Sequence, residues 1–237
     1  MTSSRLPGKV LMSLGNKMAL QLLVERLRRS KYVDNVVVAT TTNETDEPIV
    51  NLCEQIGVDY FRGSENDVLS RVLSAVKKAG GDILVEITGD CPLTDWRIVD
   101  RAIEEFYRQK VDYISNMIPE ITYPVGFDTQ VFLVKVLEEV ATLTHDPIDR
   151  VHVSYYIYNH PERFKLGTWK APAAACAPEM RLTLDERGDY ELISEVVDNL
   201  LPVNPDFSVA EAISFLNNHR SLLDLNKNIH DKDPKQG

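Results

Sequence analysis

Ser3-Ser4-Arg5-Leu6-Pro7-Gly8-Lys9 sets two hydroxyls, an arginine, a glycine and a lysine within seven positions of one another. Pro7 fixes one backbone dihedral, and Gly8 beside it can adopt conformations closed to other residues. A stiff, tight loop that holds two cations and exposes amide N–H groups suits a polyphosphate. A solvated basic stretch has the same composition, so the residues alone leave both readings open. The loop is not a Walker A motif, because the first glycine of that motif is missing and Val10 follows the lysine in place of Ser or Thr.

Outward from this loop, the apolar spacing of Leu20, Leu23, Val24 and Leu27 predicts a helix over 17–29. Val36-Val37-Val38-Ala39 predicts a strand within 34–42, buried on both faces as in a parallel sheet. Asp46 caps a helix through Ile56 that Gly57 stops. A short strand over 58–61 leads to the helix-start cluster Ser64-Glu65-Asn66-Asp67, a helix over 68–79 and its stop at Gly80-Gly81. A strand over 82–87 ends at Thr88-Gly89-Asp90-Cys91-Pro92. A helix over 95–109 and a strand over 111–115 follow. Strands alternating with helices through short links mean an α/β sheet with parallel crossovers.

The pattern loosens after Asn116. Residues 117–130, with Pro119, Pro124 and Gly126, read as a loop into a strand over 129–133. Helices are expected over 134–143 and 149–158, and a strand over 164–170. An aperiodic linker over 171–178 leads to a strand over 180–184. Further helices run over 187–201 and from Ser208 to Asn217. The stretch 230–237 is a polar tail with nothing to pack. One domain is expected over 1–229.

In 237 residues, 26 basic against 36 acidic side chains give a net charge of −10, which argues against a nucleic-acid or anionic-membrane surface as general partner. Basic residues at a phosphate site would be a local exception on an acidic body. A hydrophobic fraction of 43% is that of a globular protein, and no apolar run is long enough to span a membrane. Cys53, Cys91 and Cys176 are odd in number and widely spaced, which fits thiols in a reducing cytoplasm rather than a zinc or disulfide framework.

Four further stretches carry chemistry. In Thr88-Gly89-Asp90-Cys91-Pro92-Leu93 a carboxylate stands where a strand ends, the place where ligands of open α/β sheets collect. Asp90 is there either a Mg²⁺ ligand or an ordinary turn residue. In Arg181-Leu182-Thr183-Leu184-Asp185-Glu186-Arg187-Gly188-Asp189, Asp185 reads as an N-cap and Asp189 as a residue compensating the helix dipole. Arg62-Gly63-Ser64-Glu65-Asn66-Asp67-Val68-Leu69-Ser70-Arg71 is a capped helix start. In Thr122-Tyr123-Pro124-Val125-Gly126-Phe127-Asp128, Asp128 opens a strand.

Ser4-Arg5-Leu6-Pro7-Gly8-Lys9-Val10-Leu11 resembles the signature of the sugar-activating cytidylyltransferases, which include the acylneuraminate and 3-deoxy-manno-octulosonate cytidylyltransferases. The spore-coat polysaccharide biosynthesis type is the nearest match. The four other stretches resemble further elements of that family in the same order. The resemblance implies a nucleotide-diphospho-sugar-transferase-like, Rossmann-like α/β fold with a mainly parallel sheet. A sugar-side and dimerisation subdomain over 117–175 and a homodimer are implied with it. It implies that Ser3, Ser4 and Gly8 wrap the triphosphate of CTP while Arg5 and Lys9 hold its oxygens. Asp90 and Asp185 would bind Mg²⁺. Ser64, Asp67 and Arg71 would lie beside the base and ribose, and Tyr123, Gly126 and Asp128 on the sugar side. The implied reaction forms a CMP-sugar from CTP with release of pyrophosphate, in the cytoplasm.

Two departures accompany the resemblance. Arg150-Val151-His152-Val153 carries Val151 where the family has Glu, and His152 reads equally as a core histidine. In the family the phosphate loop follows a first strand ending in a Gln-Ala-Arg-Met-like turn, and this sequence starts at the Met of that turn. An open slot between central strands beside Ser3–Lys9 is therefore expected, in a shortened form of a protein with roughly ten more residues. Two other functions stay open: a glycosyltransferase of related fold using a nucleotide-sugar donor, and a non-catalytic nucleotide-binding or scaffold protein, for which the absent first strand speaks. The first wants an Asp-x-Asp motif at a strand end, and the sequence offers that triplet only as Asp231-Lys232-Asp233 in the tail.

Overall fold

The structure, a computed structural model, describes residue 1 and residues 3–230. The expected polar tail, with the Asp231-Lys232-Asp233 triplet, lies outside the described residues except for His230. The loop at the head of the chain enters a 3-10 turn, Lys9–Leu11, through Gly8 at φ 71°, a left-handed conformation that glycine adopts without strain. A short antiparallel pair follows, β1 (Ser13–Leu14) with β2 (Lys17–Met18), and then α1 (Ala19–Leu27). The helix starts later than its periodicity predicts because Lys17 and Met18 belong to the strand pair.

β3 (Val37–Thr41) and β4 (Asp59–Gly63) lie parallel on either side of α2 (Glu47–Gln55) in the chain, with Val37 opposite Asp59 and Thr41 opposite Gly63. α3 (Val68–Ala79) has its predicted bounds: the Asp67 side chain accepts the Ser70 N–H at its start, and Gly80 closes it. β5 (Ile83–Glu86), α4 (Trp96–Gln109) capped by Asp95, β6 (Tyr113–Ser115), β7 (Gln130–Leu133) and α5 (Val134–Leu143) come next. The chain continues through α6 (Pro147–Val151), α7 (Tyr155–Asn159), β8 (Leu166–Thr168), α8 (Arg187–Leu200) and α9 (Val209–Asn218).

The larger sheet has the order β5-β7-β6-β8. The expectation of a mainly parallel sheet is corrected here: β7 runs antiparallel to both β5 and β6, whereas β6 and β8 are parallel. β7 follows β6 through the loop over 116–129 instead of a helical crossover, so it returns beside β6 in the opposite direction. The fold is an α/β fold with a mixed sheet. The β3–β4 pair shares no ladder with the larger sheet, so β3 and β5 each leave one edge without a strand partner among the described residues. Only Thr40 of β3 is buried, where the sequence predicts burial on both faces; the open edge accounts for the difference.

Two more expectations give way. The single helix over 149–158 is two short ones, broken at His152–Ser154. The β-branched Val151 ends the first and Val153 lies within the break, and the Ser154 hydroxyl is bound to Gln130. The strand over 180–184 makes one isolated bridge, Arg181 with Val125. Its amides serve loops instead: Leu182 N donates to Val125 O and Leu184 N to Asp90 O, both at 2.7 Å. That second bond fixes the residue before Asp185 to the backbone of Asp90.

Strand alternation sends neighbouring residues to opposite faces of the larger sheet. Ile114 and Val131 join Leu93, Val99, Leu182, Leu184, Leu192 and Val196 beneath α4 and α8. Tyr113 and Phe132 join Leu69, Leu137 and Ile157 on the other face. Each such side chain contributes about 1.5–3 kcal/mol on burial. Arg26 is an arginine of the core: its guanidinium donates to Thr94 O and Phe207 O, both at 2.9 Å, and burial lowers its pKa to about 10. No helix among the described residues is long and apolar enough to cross a membrane.

Candidate active site

The 3-10 turn after Gly8 directs Lys9 toward the carboxyl end of β5. Its Nζ donates to Asp90 Oδ2 at 2.7 Å and to Asp185 Oδ1 at 2.8 Å. Arg5 Nη2 lies 3.0 Å from the same Asp185 oxygen, and Nη1 lies 3.5 Å from Glu186 Oε1. Burial works against the charge on Lys9, but Asp90 and Asp185 outweigh it and hold the ammonium above its ordinary pKa. Burial likewise opposes ionisation of Asp90, yet Lys9 and Thr88 keep its carboxyl below the usual range. The four charged side chains that the resemblance assigns to the triphosphate and the metal therefore meet in one cluster.

Behind Asp185 stands a group the sequence reading did not assign. Arg181 Nη2 donates to Asp185 Oδ2 at 2.5 Å, and Arg181 Nε to Asp189 Oδ1 at 3.2 Å. Asp189 is fully buried. Its Oδ2 accepts the N–H groups of Asp185 and Glu186, and its Oδ1 accepts Asn226 Nδ2 at 2.9 Å. Asp189 is thus the anchor of the turn that presents Asp185, not only a charge near a helix start. The N-cap of α8 is Glu186 in a capping box with Asp189, one residue later than expected. Arg181 and Asp185 meet only because the chain turns between them, and nothing in their spacing shows that.

The remaining expected residues fall into separate places. Ser3 Oγ accepts the Leu6 N–H at 3.4 Å within the loop, and Ser4 is exposed. Gly126, at φ 102°, packs so tightly on the 180–184 segment that an added Cβ would stand 2.5 Å from Leu182 O. Asp128 lies within electrostatic reach of Cys91: burial, then Asp90 and Asp128, push that thiol well above its ordinary pKa. Tyr123 does not join them; it is buried in the core with Phe127 and Trp169, its hydroxyl in the field of Arg101.

Ser64, Asp67 and Arg71 form their own cluster at the start of α3. Ser64 Oγ accepts the Asp67 N–H at 3.1 Å, and Arg71 Nη1 donates to Ser64 O at 2.6 Å. Asp67 pairs with Arg150 at 3.0 Å, while Arg71 Nε is buried with no partner among the described residues. His152 ends α6 half-buried, its ring 6.2 Å from that of Tyr155.

Residues 1–216 match the family model described as cytidylyltransferase. The chain belongs to the cytidylyltransferase family. It is 37% identical over 232 residues to an uncharacterized protein of Methanocaldococcus jannaschii, covering 97% of this chain and 92% of that protein. It is 34% identical over 222 residues to the spore coat polysaccharide biosynthesis protein SpsF of Bacillus subtilis, covering 92% of this chain and 90% of SpsF. Among solved structures, a cytidylyltransferase from Leptospira borgpetersenii superposes with a TM-score of 0.89 at 31% identity, over 98% of this chain and 95% of that one. The synthetase of CMP-2-keto-3-deoxy-manno-octonic acid complexed with CTP gives a TM-score of 0.63 over 83% of this chain and 94% of that one, and at 18% identity shows the shared fold alone. In this cytidylyltransferase the cluster lies where ligands of open α/β sheets collect, at the end of a strand.

Proposed function

We propose that this cytidylyltransferase forms a CMP-sugar from CTP. A sugar hydroxyl oxygen bonds to the α-phosphorus, the bond to the bridging oxygen of the β-phosphate breaks, pyrophosphate leaves with that electron pair, and the hydroxyl proton passes to solvent. The observation that carries this reading is the meeting of Arg5 and Lys9, from the glycine-containing loop, with Asp90 and Asp185. Displacements at phosphorus need positioning and charge neutralisation more than covalent help from the protein. Arg5 and Lys9 supply the cations for the triphosphate oxygens, and Asp128 would orient the incoming sugar. The likeness to SpsF, a spore coat polysaccharide biosynthesis protein, supports polysaccharide biosynthesis as the setting, and the octulosonate cytidylyltransferases among its relatives support a sugar acceptor.

The two carboxylates fit a divalent cation. Asp90 Oδ2 and Asp185 Oδ1 both lie within 2.8 Å of one nitrogen, so they already converge on one point of positive charge. No third His, Cys, Asp or Glu completes a metal-binding group there among the described residues. Two carboxylates with phosphate oxygens and water suit Mg²⁺, which keeps several waters and is bound through few protein ligands. Mg²⁺ held by Asp90 and Asp185 would neutralise charge on the α-phosphate. Lys9 then exchanges its carboxylate partners for phosphate oxygens. The reading includes a cytoplasmic homodimer, with the exposed apolar side chains Ile121, Leu143 and Val151 of the 117–175 segment as candidates for its contact.

Calorimetry with CTP and Mg²⁺, set against a UDP-sugar, tests the reading. CTP with Mg²⁺ is expected to bind and the UDP-sugar not to bind. Preference for the UDP-sugar would point to a glycosyltransferase, and binding of neither would leave a scaffold. A screen of sugars for CTP-dependent pyrophosphate release then identifies the acceptor.

A further inference from the structure

β5 ends on Glu86, and strand alternation turns its side chain to the same face as Leu84, which packs with Leu69, Tyr113, Phe132 and Ile157. Gln130 stands opposite Glu86 in the β5–β7 register. The Gln130 side-chain oxygen accepts the Tyr113 hydroxyl at 2.6 Å and also the Ser154 hydroxyl. Those two donors are therefore directed to Gln130. Glu86 itself has no hydrogen-bond partner among the described residues, and its Oε2 is fully buried.

A buried carboxyl without donors is costly in its ionised form, and native structures seldom leave one without a reason. Burial pushes Glu86 up to about 7. The surrounding charges do not relieve it. Tyr113 of β6 and Tyr158 of α7 both feel its charge, and Tyr158 also feels Asp149 of α6. Arg150 of α6 is already paired with Asp67 at 3.0 Å. No described residue donates a hydrogen bond to Glu86.

On the CMP-sugar reading this face belongs to the acceptor side. Ser154 and Tyr158 come from the 117–175 segment, and Glu86 precedes Asp90 by four residues on one strand and loop. Four extended residues span at most about 14 Å. A sugar whose hydroxyl attacks the α-phosphate beside Asp90 thus has its far substituents in the range of Glu86, which is only half-buried.

We propose that Glu86 is a specificity-determining residue of the acceptor subsite and selects a sugar bearing a free amino group over a sugar acid. The proposal rests on the CMP-sugar reading given above. An ammonium group brings the donors and the charge that no described residue supplies to Glu86, in the strong charge-assisted form of the bond. A sugar carboxylate would bring a second negative charge beside Glu86, which has no ion-pair partner among the described residues.

Calorimetry at pH 7 on the full chain saturated with CMP and Mg²⁺ tests this. The probes are 2-, 3- and 4-aminohexoses, their parent hexoses, and 3-deoxy-manno-octulosonate. At least one aminohexose is expected to bind roughly tenfold more tightly than its parent, as a charged hydrogen bond implies. That preference should vanish in Glu86→Gln, whose folding is checked by its melting curve. Tighter binding of the octulosonate, no amine preference in the natural protein, or the same preference in Glu86→Gln would each overturn the proposal. If CTP with Mg²⁺ still binds in those cases, the cytidylyltransferase reading stands and the amino-sugar assignment alone fails. If CTP does not bind, the underlying reading fails first.

Discussion

Lys9 Nζ and Asp185 Oδ1 stand 2.8 Å apart although 176 positions separate the two residues along the chain. The bond joins the loop at the head of the chain to the turn before α8. The same nitrogen reaches Asp90 at the end of β5. Three distant stretches thus meet at one charge, and each is held independently: Asp90 through its carbonyl to Leu184 N, Asp185 through Arg181 and Asp189, and Lys9 through the turn at Gly8. A site supported from behind in this way is preorganised before any ligand arrives.

If Asp90 and Asp185 share one cation, Asp90→Asn and Asp185→Asn should each lower kcat by roughly 100-fold or more, the scale of losing a preorganised electrostatic contact. Because both act through the same ion, the double variant should be little worse than either single one. Steady-state rates of pyrophosphate release across a Mg²⁺ series provide the measurement. Losses that multiply would show two independent roles.

Lys9→Ala should weaken CTP by ~1.5–3 kcal/mol, the range of a hydrogen bond to a charged group. CMP should lose far less, because Lys9 addresses the β- and γ-phosphates in this mechanism. Calorimetric titrations of both nucleotides decide it. Equal losses would place the ammonium elsewhere.

The sequence made much of this legible. Asp67 and Gly80 mark the ends of α3 because a cap and a left-handed stop are local chemistry, read from neighbouring residues. The cluster of Arg5, Lys9, Asp90 and Asp185 was legible through the resemblance of whole stretches, since no spacing within the chain brings positions 9 and 185 together. Arg181 received no role, and Asp189 only that of compensating the helix dipole, for the same reason: their partners depend on the turn at Asp185, and a buried ion pair has no local signature. Tyr123 was placed on the sugar side by the stretch it belongs to, yet its side chain turns into the core. The direction of β7 was hidden because the chain between β6 and β7 shows no helical period from which a crossover could be judged.

The pH dependence of stability isolates Glu86. Burial raises its carboxyl from 4.5 to about 7, so between those values the folded protein keeps a proton that the unfolded chain has released. Stability should therefore fall as pH rises through that window and level off above it. Asp90, whose carboxyl is held below 3.8, loses its contribution only at lower pH, and Lys9 loses its own only above 10.5. Neither disturbs the window. Glu86→Gln removes the proton exchange and should be the more stable protein at pH 8, by on the order of 2 kcal/mol after allowance for partial solvent screening. Urea unfolding of both proteins from pH 5 to pH 8 measures the difference. Stability curves that run parallel would mean that Glu86 finds a partner in solution, and the buried, donor-free carboxyl would no longer describe this face.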